Sequence, residues 1–357
     1  MSDVAEDIGD IPADEPETNT SEQKIPFSIP AFLQGLAGVA VIFIVLVLWA
    51  FLRTEKAYEL HQEELASKTV IIEKPVSAQR DTTPDLAIVK SAEALLDAPI
   101  DGLFEEGTHG LLPKTRETDG LKPFDAYKKP FESIAGQPKI ALIVTDIGLS
   151  QSTLQNALQF FPSEISFAIS PYSRKPNNYT QLARATGHET WITLPLETDD
   201  FGVADLGPQA ILRNASLEQN ASHISWLLSQ ANGFVGVITP ENHIFKDDST
   251  DIKGVIDEII DRGLGIVEMN QTGSIHISKT AYDKQSPYDV ADLILDTSLS
   301  SRDIAQNFRA LERAASQNGK AIGFIRPHPL SLQVAQRWIE SLDDKSIQLA
   351  PLSAVIQ

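Results

Sequence analysis

Six places in the C-terminal part of the chain set polar side chains directly behind a short apolar run: Asp146; Thr193 with Glu197; Asn242 with His243; Glu268 with Asn270; Asp296; and Arg326 with His328. Carboxylates accompanied by an imidazole and a guanidinium are groups that hold a divalent metal or a sugar. Any one of them, standing alone, reads equally well as a turn or helix-cap residue. Their repeated placement carries the inference, because parallel α/β sheets put their chemistry at the carboxyl ends of strands.

The elements that must position these groups follow from the apolar patterning. Ile140 to Val144 is an uninterrupted apolar run, fitting a strand buried on both faces, and it leads into Thr145, Asp146 and a glycine turn. Comparable runs predict strands over 165–169, 190–194, 234–238, 265–268, 292–295, 321–325 and 347–349. Helical spacing fills most of the gaps, over 152–160, 177–186, 217–230, 252–262, 304–317 and 332–341. The alternation is a βα repeat. The expected fold class is α/β, a (β/α) barrel, incomplete or distorted, with about seven to eight parallel strands and with Ile143 and Val144 in its interior.

Composition limits what such a domain can do. A formal net charge of -20, from 49 acids against 29 bases, excludes a nucleic-acid partner, which needs a surplus of Lys and Arg. With no cysteine, a disulfide framework, a thiolate zinc site and a cysteine nucleophile are all excluded.

Upstream, residues 1–28 read as a disordered acidic tail, broken by Pro12 and Pro16. Residues 29–52 include an apolar run from Gly35 to Leu52, about the 20 residues that a bilayer core requires, so a single transmembrane helix is expected ahead of the domain. An acidic leader and large residues before Arg53 argue against a cleaved signal peptide. Residues 53–110 read as a spacer and 111–138 as a lead-in arm lying against the domain of residues 139–357. Arg53 and Lys56 follow the span while only Lys24 precedes it, which on charge alone places the domain in the cytoplasm.

From about Leu111 to the C-terminus the chain resembles the divergent polysaccharide deacetylase family, distant relatives of metal-dependent carbohydrate de-N-acetylases. The resemblance rests on the order of ALIVTDIGLS, GHETWITLPLET, FVGV, RGLGIVE, DLILD and AIGFIRPHP. It implies that a strand-end aspartate pair supplies a catalytic base and a metal ligand, with His-x-x-x-His after a GHE turn supplying other ligands. Here the pair is Thr145 and Asp146, so the base is replaced and the ligand position kept. After Gly187, His188 and Glu189, the family's His-Leu-Pro-Met-Glu becomes Thr193 to Glu197, losing one ligand position and keeping the other. The family's Asn-Asn-His falls on Ile238, Thr239 and Pro240, and His243 substitutes for it only through an insertion. Its Gly-His-Pro becomes Ile325, Arg326 and Pro327, with His328 beyond.

On this resemblance Asp146, Glu197 and His243 are the expected ligands of a Zn²⁺ ion. Asp146, Asp296 and His243 are the expected catalytic groups, while Glu197, Glu268, Asn270, Arg326 and His328 would contact substrate. Zinc-assisted amide hydrolysis needs about three protein ligands, an open position and a base in reach. The expected function is therefore a degenerate deacetylase-like domain that binds an envelope glycan or envelope protein. It would hang from the inner membrane by one helix and face the exterior. Two other readings stay open: an active metal-dependent deacetylase of an N-acetylated envelope polysaccharide, and a scaffold facing the cytoplasm.

Overall fold

The computed structural model describes residues 91, 93–199, 205–241, 243–245, 252–269, 271–342 and 344–356. The acidic tail, the predicted membrane span and the spacer up to residue 90 lie outside them. Among the described residues no helix is long and apolar enough to cross a membrane. All of the described residues belong to one compact unit, which begins at Asp85.

An antiparallel hairpin comes first, β1 (Phe104–Gly107) with β2 (Gly110–Pro113), followed by a short helix α1 (Pro123–Tyr127). The βα repeat then runs β3 (Lys139–Ile147), α2 (Gln151–Phe160), β4 (Ser166–Ile169), α3 (Pro176–Ala185) and β5 (Thr190–Thr193). It continues with α4 (Leu217–Leu228), β6 (Gly236–Thr239), α5 (Lys253–Asp261), β7 (Gly265–Glu268), α6 (Ile275–Asp283), β8 (Tyr288–Val290) and β9 (Leu293–Ile294). The last elements are α7 (Ser301–Asn318), β10 (Lys320–Ile325), α8 (Pro329–Glu340) and β11 (Gln348–Leu349). Helix starts are set locally: Ser150, Ser216, Ser274 and Ser300 each accept a backbone N–H from the first turn, while Pro176 and Pro329 open α3 and α8. Gly319 ends α7 in the left-handed conformation at φ 78°, where a side chain would be strained.

The strands from β3 onward make one parallel sheet in the order β8-β7-β6-β5-β4-β3-β10-β9, with β11 also on β3. The pairing of β3 with β4 is parallel. Its two outer members are almost continuous in the chain. Ala291 donates its N–H to Glu268 O on β7 at 2.8 Å, and the next residue, Asp292, donates to Ile322 O on β10 at 2.9 Å. One stretch of chain thus closes on both ends of the strand path, so the sheet is curled in the manner of a (β/α) barrel.

Alternation along β3 divides the core. Ala141 and Ile143 pack on the concave side with Trp191, Val267, Ile322 and Phe324. Ile140, Leu142 and Val144 pack on the other side against the helices, with Leu154, Leu182 and Phe308. Val144 is therefore part of the layer between sheet and helices, whereas Ile143 is inside the curl; both have 0% exposure. Truncating either to Ala is expected to cost about 1–4 kcal/mol in urea unfolding, and a loss below about 0.5 kcal/mol would contradict this packing.

The stretch read as spacer up to residue 110 is partly built into the domain. Ser91 N donates to Ala185 O at 2.8 Å and Leu95 N to Arg184 O at 2.9 Å, both at the end of α3. Leu103, with Phe124, Tyr127, Leu352 and Val355, is buried in the concave-side cluster. The boundary lies upstream of the expected one because Leu103 supplies apolar area to the core and the preceding backbone pairs with α3.

Candidate functional site

Because the sheet is parallel, the carboxyl ends of its strands share one edge, and Asp146 stands at the end of the longest strand. Its backbone adopts φ 51°, a conformation that Asp tolerates better than most residues, and Gly148 follows at φ 101°. Burial among its neighbours raises the Asp146 pKa above the ordinary carboxylate value. The Thr193 side chain, the Arg326 charge and Thr145 each offset part of this. Of these three, the Thr193 side chain beside the carboxylate offsets the most. Thr145, in the position of the family's base, is buried and donates its hydroxyl to Ile325 O at 3.3 Å.

Arg326 links the rest of this edge. Its guanidinium lies 3.7 Å from Asp296 Oδ1 and 3.4 Å from Glu241 Oε2. Asp296 is buried, and its Oδ2 accepts Arg326 N at 2.9 Å and the Ser331 hydroxyl at 2.7 Å. Its Oδ1 is buried and receives no hydrogen bond among the described residues. Asp146, Thr193, Asp296 and Arg326 are thus drawn together as the strand-end placement implies. Glu241, two residues past β6, was not singled out in the sequence; the turn-forming TPEN run that carries it is the signal that could have found it.

The remaining candidates are employed elsewhere. His243 has 0% exposure and shares a 2.7 Å hydrogen bond between its Nε2 and Glu268 Oε2. Glu268 Oε1 accepts Tyr288 Oη at 2.6 Å and Ser274 N at 2.8 Å. That network sits on the helix side of the sheet, where Tyr288 and Phe245 pack. The Glu268 carboxylate is fully buried and engaged by these three groups. Its hydrogen bond to Glu268 ties His243 into the same layer. Glu197 Oε2 accepts Arg213 N at 2.7 Å, while its backbone joins Ile211 and Ile244. It is a clamp between loops. His328 is exposed ahead of α8. Asn242 and Asn270 lie outside the described residues.

The ligand set expected for Zn²⁺ does not form. Among the described residues no group of three His, Asp or Glu is placed to hold a metal ion. Glu197 engages Arg213 N and His243 engages Glu268 instead. Zn²⁺ prefers nitrogen and sulfur donors in tetrahedral array, and this donor set does not fit it.

The GHE segment lies at the opposite, amino-terminal edge. His188 is buried, donates from Nδ1 to Ile165 O at 2.8 Å and stacks on Phe167 with ring centres 4.3 Å apart. The bond to a carbonyl makes Nδ1 the protonated nitrogen. Burial lowers the His188 pKa from 6.5 to about 4. An unfolded chain therefore binds the extra proton first. The stability this histidine provides as a neutral group is complete above pH 6.5 and is lost as pH falls towards 4, by about 3 kcal/mol in all. His188→Leu is expected to flatten the stability profile between those limits, measured by urea unfolding. An unchanged slope would refute the assignment.

The family described as divergent polysaccharide deacetylase matches residues 142–356. The uncharacterized protein YibQ of Escherichia coli is 24% identical over 209 residues, covering 57% of this chain and 63% of YibQ, so the match spans less than two thirds of that relative. The crystal structure of the uncharacterized protein ATU2773 from Agrobacterium tumefaciens is 26% identical with a TM-score of 0.64, covering 69% of this chain and 99% of that one. With the family's segments running through the sheet from β3 to the last turn, the chain belongs to the divergent polysaccharide deacetylase family.

Proposed function

We propose that this is a membrane-anchored envelope protein whose deacetylase-like domain binds an amino-sugar glycan without hydrolysing it. The observation that carries the reading is Thr145. A hydroxyl stands where the base is expected, and it is spent on Ile325 O. A threonine hydroxyl does not take up a proton near neutral pH, so nothing at that position can activate water. The scattering of Glu197 and His243 away from Asp146 supports the same reading. The apolar run from Gly35 to Leu52 supports the anchor, and an exterior orientation accords with a glycan ligand.

The full-length chain in detergent tests it against chito-oligosaccharides and peptidoglycan fragments. Binding without acetate release is expected, with Zn²⁺ below about half an equivalent after dialysis. Acetate release with stoichiometric metal, both abolished by Asp146→Asn, would establish instead the active deacetylase, which the retained Asp146 favours. Arg53 and Lys56 favour the cytoplasmic scaffold, and a topology reporter fused to the C-terminus decides that point.

A further inference from the structure

We propose that the groove between α7 and α8 docks an acidic, extended segment of a partner protein. The inference goes beyond the glycan reading and does not depend on it. It starts from a local reversal of charge. The chain carries 49 acids against 29 bases, yet a cavity of 420 Å³ between these helices is lined by Arg302 and Arg309 on one wall and by Arg337 and Lys345 on the other. Glu312 is the single acid among the described residues that line it, and it is already engaged. Its Oε1 accepts Lys345 Nζ at 2.5 Å and Trp338 Nε1 at 2.8 Å.

The three guanidinium groups are left without an acidic partner. Among the described residues Arg337 reaches only Gln333, at 3.3 Å to its Oε1 and 3.4 Å to its backbone oxygen. Arg302 and Arg309 are exposed and have no ion-pair or hydrogen-bond partner among the described residues. Asp303, in the first turn of α7, accepts the Ser298 hydroxyl at 2.9 Å instead. Because Ser301 at the start of α7 also lines the groove, the positive end of that helix adds to the same field.

Shape and overall charge select the occupant. An anionic membrane or a nucleic acid would bring a broad negative surface against a protein of net charge -20, while the pull of the groove reaches only about 8–10 Å at ordinary salt. A slender chain enters that range alone. A sugar would need an open aromatic face to stack on, but Phe308 and Trp338 stack on each other with ring centres 4.4 Å apart and are 1% and 7% exposed. A peptide needs no such face. Arg302 and Arg309 stand two turns apart on α7, about 10 Å along its axis, which is the advance of about three residues of extended chain. Carboxylates at that spacing meet both guanidinium forks, each of which can take two oxygens.

Fluorescence anisotropy with the full-length chain in detergent tests this, using labelled deca-glutamate, which its own repulsion keeps extended, and deca-glutamine as the neutral counterpart. Deca-glutamate is expected to bind at least about tenfold tighter, the size of one charge-assisted hydrogen bond. That preference should shrink with added salt. Arg302→Gln combined with Arg309→Gln should remove most of it, and Arg337→Gln part of it, while the thermal melt stays that of the parent. Arg313→Gln combined with Lys114→Gln removes the same charge outside the groove and should leave the preference in place.

Equal binding of the two peptides would overturn the inference, as would an equal loss in the Arg313 and Lys114 pair, since the attraction would then be spread over the surface. Tighter binding of an oligogalacturonate of equal charge, or of phosphatidylglycerol vesicles, lost in the Arg302 and Arg309 pair, would also overturn it. The groove would then take an acidic glycan or a lipid headgroup.

Discussion

Arg184→Met is expected to lower the unfolding free energy by about 3–5 kcal/mol, because three carbonyl oxygens would lose their donor at about 1–3 kcal/mol for each left buried. Arg184 is 2% exposed and donates to three carbonyls: Tyr127 O at 3.0 Å, Gly233 O at 2.7 Å and Leu96 O at 2.8 Å. These belong to α1, to the approach to β6 and to the segment before β1, so one guanidinium joins three stretches of the chain. Its charge also lies over the Tyr127 ring, 5.1 Å from the centre. Burial lowers its pKa to about 10, which still leaves it protonated at neutral pH. Arg184→Lys should recover only part of the loss, since an ammonium cannot span the same fork of acceptors. Denaturant unfolding checks both, and a cost below about 1 kcal/mol for Met would sink the argument.

The second large effect is at Glu189, which has 0% exposure at the amino-terminal edge of the sheet. Its Oε1 accepts Trp191 Nε1 at 2.9 Å and Ser353 N at 3.1 Å, and its Oε2 accepts Lys129 N at 3.2 Å and the Ser353 hydroxyl. One carboxylate thus fastens the lead-in arm and the C-terminal turn to β5. Glu189→Ala should cost about 3–5 kcal/mol, because these donors would be left buried and unpaired. Glu189→Gln should cost less, as its amide keeps one acceptor oxygen and turns the other position into a donor. If the two variants proved equally stable, the carboxylate would not be the fastening.

Much of the fold was legible because the strands of a parallel sheet are buried on both faces and read as plain apolar runs, as Ile140 to Val144 does. The helix Ile275–Asp283 has no continuous apolar stripe: only Ile277 and Ala281 of its residues are buried, while Ile275 and Tyr282 are exposed and the rest of IHISKTAYD is polar. Its one local signal was Ser274, which caps the first turn. Strand β8 escaped for a related reason: its three residues are only half-buried, and the run over 292–295 drew attention to the second half of the same stretch. At the site, Asp146, Asp296 and Arg326 were found by their position after strands. Which neighbour each side chain engages could not be read that way. His243 and Glu268 each stood in a suitable place, but their mutual hydrogen bond on the helix side of the sheet depends on which face the last residue of β7 presents and how the loop after β6 turns. Glu241 has no strand-end signal of its own, since it stands inside the turn-forming TPEN run beside Asn242 and His243.

The placement of β3 has a consequence for how the chain reaches its native state. This longest strand pairs along one side with β10, and near its start with β11 on the other. The Thr145 to Ile325 hydrogen bond alone closes a separation of 180 residues. During synthesis from the N-terminus, β3 and β4 are available early, while one edge of β3 must wait for nearly the whole domain to emerge. Contacts of such long sequence separation make folding slow, and an unpaired apolar edge invites association with other chains meanwhile. A ribosome-stalled chain ending before Lys320 should therefore be protease-sensitive and prone to aggregate, even though it already carries Asp146 and most of the helices.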